Sequence, residues 1–238
     1  MKNVLILGAS GDIGGAICKQ LAREGYSLIL HYFKNEESMK NLLSQLDEEA
    51  VLQIVQADLT SDEGTKKLCQ TVNFGVHAIV YVSGTAHIGL FQDTKEAEMD
   101  QMLHLHVRSP WLVTQHFLPQ MLASGNGKII FITSIWGNVG ASNEVIYSSV
   151  KGAQNSFVRA LAKEVGPSGI SVNAVSPGFI DTKMNRHLAA AEREDIIAHI
   201  PVNRAGMVED VAHAVSFLMD DKSNYIQGEI LNISGGWS

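Results

Sequence analysis

Residues 4–14 read VLILGASGDIG, and this stretch decides the fold. Four apolar residues, typical of a buried strand, lead into a turn rich in glycine, and the amphipathic pattern of a helix follows. Glycines in such a turn allow a tight bend and a close approach of a pyrophosphate, which the N-terminus of the helix then stabilises. The stretch therefore predicts a strand, a nucleotide-binding turn and a helix, in that order.

The rest of the chain repeats this alternation of short apolar runs and amphipathic stretches. The predicted strands, rich in Val, Ile and Leu, cover residues 4–7, 27–32, 51–57, 78–82, 128–133, 171–176 and 229–233. The predicted helices cover residues 13–24, 36–48, 62–71, 96–122, 146–165 and 208–219. We expect an α/β fold in which residues 1–238 form a single-domain, Rossmann-type doubly wound parallel sheet with helices on both faces. Residues 181–201 interrupt the alternation, are polar and prone to helix, and are a candidate substrate lid.

The composition excludes several classes of protein. With 45% hydrophobic and 18% charged residues, the chain is of ordinary globular composition, and none of its apolar runs approaches the roughly 20 residues that span a bilayer. The N-terminal residues resemble a first strand and not a signal peptide, so we expect a cytoplasmic location and no membrane partner. The formal net charge of −7 argues against nucleic acid as a partner. Cys18 and Cys69 have neither metal nor redox spacing, so we expect buried thiols and no metal site.

The end of the second predicted strand indicates which nucleotide binds. An acidic residue there accepts the ribose hydroxyls of NAD, but residues 30–34 read LHYFK and carry no carboxylate. His31 and Lys34 favour a 2′-phosphate, so NADP(H) is the preferred cofactor and NAD(H) is the alternative. Lys34 can also be a solvated loop charge. Asp58, after the third strand, either accepts the adenine amino group or caps the next helix.

Tyr147 and Lys151 lie four residues apart in the segment YSSVK, downstream of Ser134 in the apolar run IIFITS. On a helix they share one face, where an ammonium stabilises a phenolate and lowers the tyrosine pKa from its usual value of about 10. Such a phenol can deliver a proton near neutral pH, while a serine hydroxyl at a strand end holds the carbonyl that is protonated. Any long helix can contain this spacing by chance, so its weight depends on the rest of the chain.

These pieces, in this order and at this spacing, resemble the short-chain dehydrogenase/reductase family over nearly the whole chain. The matching segments are GASGDIG at 8–14, ADL at 57–59, SG at 83–84, the three residues Ser134, Tyr147 and Lys151, NAVSPG at 173–178 and YIQGEILNISGG at 225–236. The resemblance implies that Tyr147 is the general acid, that Lys151 tunes it and binds the nicotinamide ribose, and that Ser134 positions the substrate oxygen. The expected cofactor-binding residues are Gly8, Ser10, Gly11, Asp12, Ile13, Gly14, His31, Tyr32, Lys34, Asp58, Leu59, Gly84, Lys151, Pro177, Gly178, Ile180 and Thr182.

The chain departs from the family pattern in three places. Leu7 and Asp12 replace a threonine and a glycine of the nucleotide turn, and we expect Asp12 to turn onto backbone N–H groups as a helix cap, so that binding survives. Residues 81–84 read YVSG where the family has NNAG, so another bridge must replace the asparagine pair. His106 stands where the family has an asparagine that holds a water linked to the lysine. Because imidazole titrates near neutral pH, His106 is a candidate catalytic relay, or else a core histidine bonded to a backbone carbonyl.

Two subgroups of the family resemble the chain in detail. Much of it is similar to the 3-oxoacyl-acyl-carrier-protein reductases, but the segments expected at the site rim, 123–128 and 165–170, offer Lys128 alone as a cation for an acidic carrier protein. Local segments are similar to bacterial reductases of the 5-aminopentanone group on a lysine of translation elongation factor P. These segments are HY at 31–32, SGTAHIGL at 83–90, LHVRSP at 105–110, SIWG at 134–137, GASNEVIYS at 140–148 and KGAQ at 151–154.

The second resemblance is the preferred interpretation, with elongation factor P as the partner. For an ammonium substrate Glu144 is a candidate binding residue, or a charge at a helix start. Trp136 and His87 are expected near the substrate, or serve as a packing aromatic and a loop residue. A small-ketone reductase or alcohol dehydrogenase is a further alternative, and the three intact catalytic residues argue against a cofactor-sensing protein without catalysis. The family implies a homotetramer, or a dimer, formed through residues 96–122 and 146–165.

Overall fold

The computed structural model describes residues 2–186 and 188–237. Within these residues, seven parallel strands form one sheet in the order β3-β2-β1-β4-β5-β6-β7. The strands are β1 (Asn3–Leu7), β2 (Ser27–Tyr32), β3 (Val51–Gln56), β4 (Ala78–Tyr81), β5 (Gly127–Ile132), β6 (Ile170–Pro177) and β7 (Ile230–Ile233). The helices are α1 (Asp12–Arg23), α2 (Glu36–Leu43), α3 (Asp62–Thr71), α4 (Glu96–Leu103), α5 (Ser109–Ser124), α6 (Trp136–Val139), α7 (Val145–Val165), α8 (Ala190–Ala198) and α9 (Val208–Met219). The predicted doubly wound parallel sheet is confirmed.

Helices cover both faces of the sheet because successive strand residues point to opposite sides. Along β1, Val4 and Ile6 pack with side chains of α1, α2 and α9, while Leu5 and Leu7 pack with side chains of α3, α5 and α7. All four are at most 1% exposed. Burying one such side chain contributes roughly 1.5–3 kcal/mol, so an apolar run with no polar alternation is what a strand between two layers requires.

The predicted helix over residues 36–48 is wrong in its second half. α2 ends at Leu43, and the side chains of Ser44 and Gln45 donate hydrogen bonds to the carbonyl of Asn41 at 2.8 and 2.9 Å. Short polar side chains that bond to the backbone in this way compete with helix continuation.

The predicted helix over residues 96–122 is interrupted by one π-helical turn, His104–Arg108, between α4 and α5. Proline at position 110 has no N–H, so the carbonyl of His106 loses its ordinary helical partner four residues on. The side chain of Gln154, on α7, donates to that carbonyl instead at 2.8 Å. The wide turn therefore has a cause in the sequence, the SP pair at 109–110.

The order of the strands creates a crevice at their carboxyl ends. β1 pairs with β2 on one side and β4 on the other, so the connections from these two strands leave in opposite directions. Gly8 follows β1, Gly84 lies just past β4, Ser134 lies just past β5 and Pro177 ends β6. The fold thus gathers the motif residues of four different segments at one edge.

Across the described ranges, no helix is both long enough and apolar enough to cross a membrane. Cys18 and Cys69 are buried free thiols, as predicted.

Candidate active site

The glycine turn after β1 has the geometry that only glycine allows at two positions. Gly8 has φ +91°, in the left-handed region. A Cβ at Gly14 would collide with the carbonyl oxygen of Gly8, so the first turn of α1 packs directly on the loop. The backbone N–H groups of Gly8 and Ala9 donate to the carbonyl of His31 at 3.2 and 2.9 Å. The turn is therefore compact and tied to β2.

His31 supports this turn and carries no charge, which corrects its predicted role as a cation for a 2′-phosphate. Its ring Nδ1 accepts from the N–H of Gly8 at 3.2 Å, and its Nε2–H donates to the carbonyl of Ala57 at 3.0 Å. The side chain is almost wholly buried, and burial lowers its pKa from 6.5 to about 4. The neutral ring links β1, β2 and β3 beneath the turn.

Asp12 does not cap α1, which corrects the second expectation at this turn. Gly11 is the N-cap residue and no side chain caps the helix. The carboxylate of Asp12 instead accepts from the backbone N–H of Lys183 at 2.6 Å, and the Nζ of Lys183 lies 3.8 Å from its other oxygen. Asp12 therefore joins the nucleotide turn to the segment that follows β6.

Asp58 does not cap the next helix either, because Ser61 is the N-cap of α3 and accepts from the N–H of Gly64. One carboxylate oxygen of Asp58 accepts from the N–H and the hydroxyl of Thr60 at 2.9 and 2.7 Å. Its carboxylate remains on the wall of the crevice, where the alternative role toward adenine stays a prediction.

A cavity of about 690 Å³ runs along the crevice, and all but one of the predicted cofactor residues line it. Tyr32 packs against the core beside α1 and does not line it. This volume lies in the range of cofactor sites, and the glycine turn leaves room for phosphate, so the residues fit a nicotinamide dinucleotide. The predicted residues that line the cavity are Gly8, Ser10, Gly11, Asp12, Ile13, Gly14, His31, Lys34, Asp58, Leu59, Gly84, Lys151, Pro177, Gly178, Ile180 and Thr182.

Ser134, Tyr147 and Lys151 meet at the inner end of this cavity. The Ser134 hydroxyl lies beside that of Tyr147, and the Nζ of Lys151 lies 5.6 Å from the centroid of the Tyr147 ring. That Nζ donates to the carbonyl of Ile132, at the end of β5, at 2.9 Å. A Cβ at Gly137 would lie 2.8 Å from the backbone of Lys151, so this glycine, on α6, lets α7 pack closely against that helix. The sequence predicted this triad, and the structure brings it together.

The pKa values of the triad differ from the sequence expectation. Burial raises the pKa of Tyr147 to about 12, a shift that the hydrogen bond from Ser134 opposes and nearby Glu144 increases. Burial lowers the pKa of Lys151 from 10.5 to about 7. The expected lowering of the tyrosine pKa by lysine is therefore wrong for this structure, because a buried ammonium without a carboxylate partner loses much of its own charge.

His106 lies beside the triad as a neutral core histidine. It is 0% exposed, and burial, followed by the charge of Lys151, lowers its pKa to about 3, so the expected titration near neutral pH is wrong. Nε2 lies 3.0 Å from the carbonyl and 3.3 Å from the N–H of Thr85. One ring nitrogen cannot donate and accept at once, and the shorter contact makes Nε2–H the donor. Nδ1 then has a buried lone pair with no partner among the described residues.

Tyr81 supplies contacts at the position where the family has its asparagine pair. Its hydroxyl bonds to Thr114 at 2.7 Å and to the carbonyl of Pro110 at 3.2 Å, and its ring stacks on Phe131 at 4.3 Å. These contacts join β4 to α5 and β5, whereas the buried hydroxyl of Ser83 has no hydrogen-bond partner among the described residues.

A second cavity of about 530 Å³ opens on the other side of Ser134 and Tyr147. Trp136 and Glu144, two of the predicted substrate residues, line it. Burial raises the pKa of Glu144, and the neighbouring Trp136 indole opposes the rise. His87 is not brought to either cavity; its Nε2 lies 3.3 Å from the hydroxyl of Thr94.

The candidate lid forms one side of the second cavity. It contains a short 3₁₀ turn, Lys183–Asn185, and the helix α8; position 187 lies outside the described residues. Asn185 donates to the carbonyl of Ile180 at 2.8 Å, and Arg193 pairs with Asp181 at 3.0 Å. Lid side chains that line the cavity are Met184, Asn185, Leu188 and Ile196.

Sequence reasoning missed several residues that line the second cavity, including Thr85 and Trp237. Thr85 lies in a loop without a chemical motif, so nothing in its pattern marks it. Trp237 follows the glycine pair 235–236, whose left-handed φ angles fold the chain back toward Trp136. An aromatic residue directly after two glycines is the signal that could have found it.

The segments expected at the site rim lie at the wrong end of the sheet. Residues 123–128 and 165–170 precede β5 and β6, at the amino ends of the strands, whereas both cavities lie at the carboxyl ends. Lys128 is buried, and its Nζ donates to the carbonyls of Leu218 and Asp220 at 3.1 and 2.9 Å. It closes the end of α9 and offers no charge to a partner. Among the described residues, no group of His, Cys, Asp or Glu could hold a metal ion.

Comparison with known proteins gives consistent matches over the chain. The family model described as enoyl-(acyl carrier protein) reductase matches residues 8–238. The uncharacterized oxidoreductase YmfI of Bacillus subtilis (strain 168) is 44% identical over 238 residues, covering 99% of this chain and 98% of that protein. The 3-oxoacyl-[acyl-carrier-protein] reductase FabG of Staphylococcus epidermidis (strain ATCC 12228 / FDA PCI 1200) is 31% identical over 239 residues, covering 99% and 98%.

A solved structure is similar over the same length. It is described as a putative NAD(P) dependent gluconate 5-dehydrogenase from Beutenbergia cavernae with bound NADP at low occupancy. The two chains share 27% sequence identity with a TM-score of 0.92, covering 99% of this chain and 96% of the other.

Proposed function

Because this chain belongs to the short-chain dehydrogenase/reductase family, an oxidoreductase family that acts on CH–OH or C=O groups with NAD(P), we propose that it is an NADPH-dependent ketone reductase whose substrate carries an ammonium group. The preferred substrate is the 5-aminopentanone group on a lysine of elongation factor P. The steps below argue the reaction, the cofactor and the substrate in turn.

The reaction site is the neighbouring pair of hydroxyls on Ser134 and Tyr147, residues that line both cavities. A ketone oxygen between them accepts two hydrogen bonds, and donors set in advance stabilise the negative charge that develops on that oxygen. The dihydronicotinamide, when bound, supplies the hydride. Tyr147, whose raised pKa keeps it protonated at neutral pH, supplies the proton from its hydroxyl. Lys151 then stabilises the phenolate that remains.

The preference for NADPH rests on charge at the end of β2. Lys34 lines the larger cavity, and the first carboxylate after β2, Glu36, is held by Lys40 at 2.8 Å on the surface of α2. A 2′-phosphate therefore meets a cation and no competing carboxylate. The solved relative with bound NADP supports this preference.

The single observation that carries the substrate proposal is the carboxylate of Glu144. Among the described residues that line the second cavity, it is the only side chain of Asp, Glu, Lys, Arg or His. Its burial penalises the carboxylate, as the direction of its pKa shift indicates, so a cationic substrate group would offset that cost. An aminoketone with its carbonyl at Tyr147 would meet this carboxylate.

The test is NADPH oxidation with two substrates, elongation factor P carrying the aminopentanone group and an acetoacetyl thioester. We expect Glu144→Gln to lower kcat/KM for the protein substrate by about tenfold or more, the range of a hydrogen bond to a charged group, and to leave the thioester rate unchanged. Glu164→Gln, an exposed residue at the far end of α7, is the matched control. Turnover of the thioester alone by the wild type would refute the proposed substrate.

The second candidate is a 3-oxoacyl-acyl-carrier-protein reductase, and the 31% identity to FabG over 99% of the chain favours it. The net charge of −7 disfavours an acidic carrier protein as partner. A small-ketone reductase or alcohol dehydrogenase would use the same hydroxyl pair. A cofactor sensor without catalysis has no need of Ser134 and Tyr147 together.

We also propose a homotetramer, or a dimer, built on α4, α5 and α7. Leu103, Trp111, Leu122 and Val145 are each at least 40% exposed on these helices, which supports an apolar contact between copies. Light scattering with size-exclusion chromatography would test this assembly, and a monomer at micromolar concentration would refute it.

A further inference from the structure

The second cavity has a wall that the proposed reaction does not explain, the indole of Trp237. Its ring centroid lies 5.0 Å from that of Trp136, and the two ring planes meet at 75°. The Trp136 indole in turn lies beside Glu144 and opposes the rise of its pKa. A chain of contacts therefore leads from Trp237 through Trp136 to the carboxylate.

The position of Trp237 is set by the backbone of the residues before it. Gly235 and Gly236 have φ +64° and +87°, a conformation that side chains other than glycine rarely adopt. A Cβ at Gly235 would lie 2.5 Å from the side chain of Val202. The N–H of Trp237 donates to the carbonyl of Ser234 at 3.1 Å and closes the turn. The turn directs the indole back over the active site.

Trp237 is also anchored to the lid. Its ring packs against the small core formed by Phe179, Ile200 and Ala205, together with lid side chains such as Ile196. The N–H of Val202 donates to the carbonyl of Gly235 at 3.3 Å, so the backbone of the turn is held as well. The indole thus forms a positioned wall at the end of the chain.

Two indole rings beside one carboxylate form a surface that distinguishes a cation from a neutral group of the same shape. The face of an indole is the most favourable aromatic surface for an ammonium, and the attraction is larger where water is excluded. Glu144, which lines the same cavity, adds an opposite charge.

We propose that Trp237 is a specificity-determining residue, which with Trp136 and Glu144 forms the site for the ammonium end of the substrate and selects cationic ketones over neutral ones. The inference rests on the proposed function, because it assigns Trp136, Trp237 and Glu144 to the ammonium and the hydroxyls of Ser134 and Tyr147 to the carbonyl. It goes beyond that function by assigning the choice between cationic and neutral substrates to an aromatic residue in the turn at residues 234–237.

The first experiment compares a methyl ketone that ends in a diethylamino group with the ketone in which a CH group replaces the nitrogen. We expect Trp237→Ala to lower the ratio of kcat/KM for the cationic ketone to that for the neutral ketone by about tenfold. Trp237→Phe, which keeps an aromatic face, should restore most of the ratio. Tyr225→Ala, at a fully exposed aromatic residue, should leave the ratio unchanged. An equal loss with both ketones would overturn the proposal.

The second experiment separates this inference from the proposed function. Calorimetry measures the Kd of each ketone for the protein saturated with NADP⁺, and needs no turnover. The proposed role of Trp237 is supported if the Kd ratio changes in Trp237→Ala but not in Trp237→Phe. This holds even if the wild type reduces neither ketone and the proposed reaction is wrong. A Kd ratio that is the same in wild type and Trp237→Ala overturns that role, whatever the rates. Trp237→Leu, which retains apolar volume against the lid, replaces the alanine variant if thermal unfolding shows loss of the fold.

Discussion

The carboxylate of Asp12, in the first turn of α1, accepts a 2.6 Å hydrogen bond from the backbone N–H of Lys183, at the start of the candidate lid. Both residues line the larger cavity, so the contact crosses its mouth. A carboxylate here lies close to where a pyrophosphate binds at the helix N-terminus. The same side chain thus favours an ordered lid and opposes an anion.

Substitutions at Asp12 should separate these two effects. Asp12→Asn keeps an oxygen acceptor and removes the charge, so we expect the Kd for NADPH to fall about threefold while the ketone KM stays constant. Asp12→Gly should also tighten NADPH binding but raise the ketone KM, because the lid loses its hydrogen bond. Fluorescence titration and initial rates measure both quantities. An unchanged ketone KM in the glycine variant would show that the contact does not hold the lid.

Loss of the Tyr147 hydroxyl should stop the chemistry and spare cofactor binding. We expect Tyr147→Phe to lower kcat by about 100-fold to 1000-fold or more, since it removes both the proton and a donor to the developing oxyanion. The Kd for NADPH should not change. Tyr225→Phe, at a fully exposed tyrosine, is the matched control. Turnover that persists in Tyr147→Phe would refute the assignment of the general acid.

The buried Lys151 should lower the free energy of unfolding, although the reaction requires this residue. Its folded pKa is about 7, against 10.5 when unperturbed, so between these values the unfolded chain binds a proton that the folded chain does not. The free energy of unfolding therefore rises with pH between about 7 and 10.5. Below pH 7 the full destabilisation by the buried Lys151 is present. We expect Lys151→Met to be inactive and to unfold a few degrees higher than wild type at pH 6, with the difference shrinking toward pH 10. A lower unfolding temperature at pH 6 would contradict the burial penalty.

His106 should act as a neutral group throughout the working pH range. Its folded pKa of about 3 lies below the unfolded value of 6.5, so the folded state loses stability as pH falls through that window. We expect His106→Asn to leave the pH profile of kcat unchanged between pH 6 and 9 and to reduce the loss of stability at pH 5. A step near neutral pH that disappears in the variant would instead identify a titrating relay.

The charge of Lys34 should determine the choice of cofactor. We expect Lys34→Ala to lower kcat/KM for NADPH by about tenfold and to leave that for NADH unchanged, because only NADPH carries a 2′-phosphate. Lys66→Ala, an exposed lysine on α3, is the control. Equal effects on the two cofactors would show that Lys34 acts only as a solvated loop charge.

The sequence predicted every strand end to within one residue, because apolar runs with turn signals determine a buried parallel sheet almost alone. It also predicted Ser134, Tyr147 and Lys151, since helical spacing and the strand end define their meeting. The roles of Asp12, His31 and Lys128 could not be predicted, because each side chain has a partner distant in sequence: Lys183, Ala57 and Leu218. The pKa of Tyr147 was mispredicted because local spacing reveals a neighbouring charge but not the degree of burial.

The π-helical turn at His104–Arg108 fixes the rotational phase between α4 and α5. Each residue of an α-helix turns the chain by about 100°, so deletion of one residue in this turn would restore a continuous helix and rotate the upstream half by that angle. Gln101, which now lines the larger cavity, would turn away from it while the apolar face of α5 stayed in place. The π-helical turn thus lets α5 keep its apolar face toward the sheet while α4 keeps Gln101 toward the larger cavity.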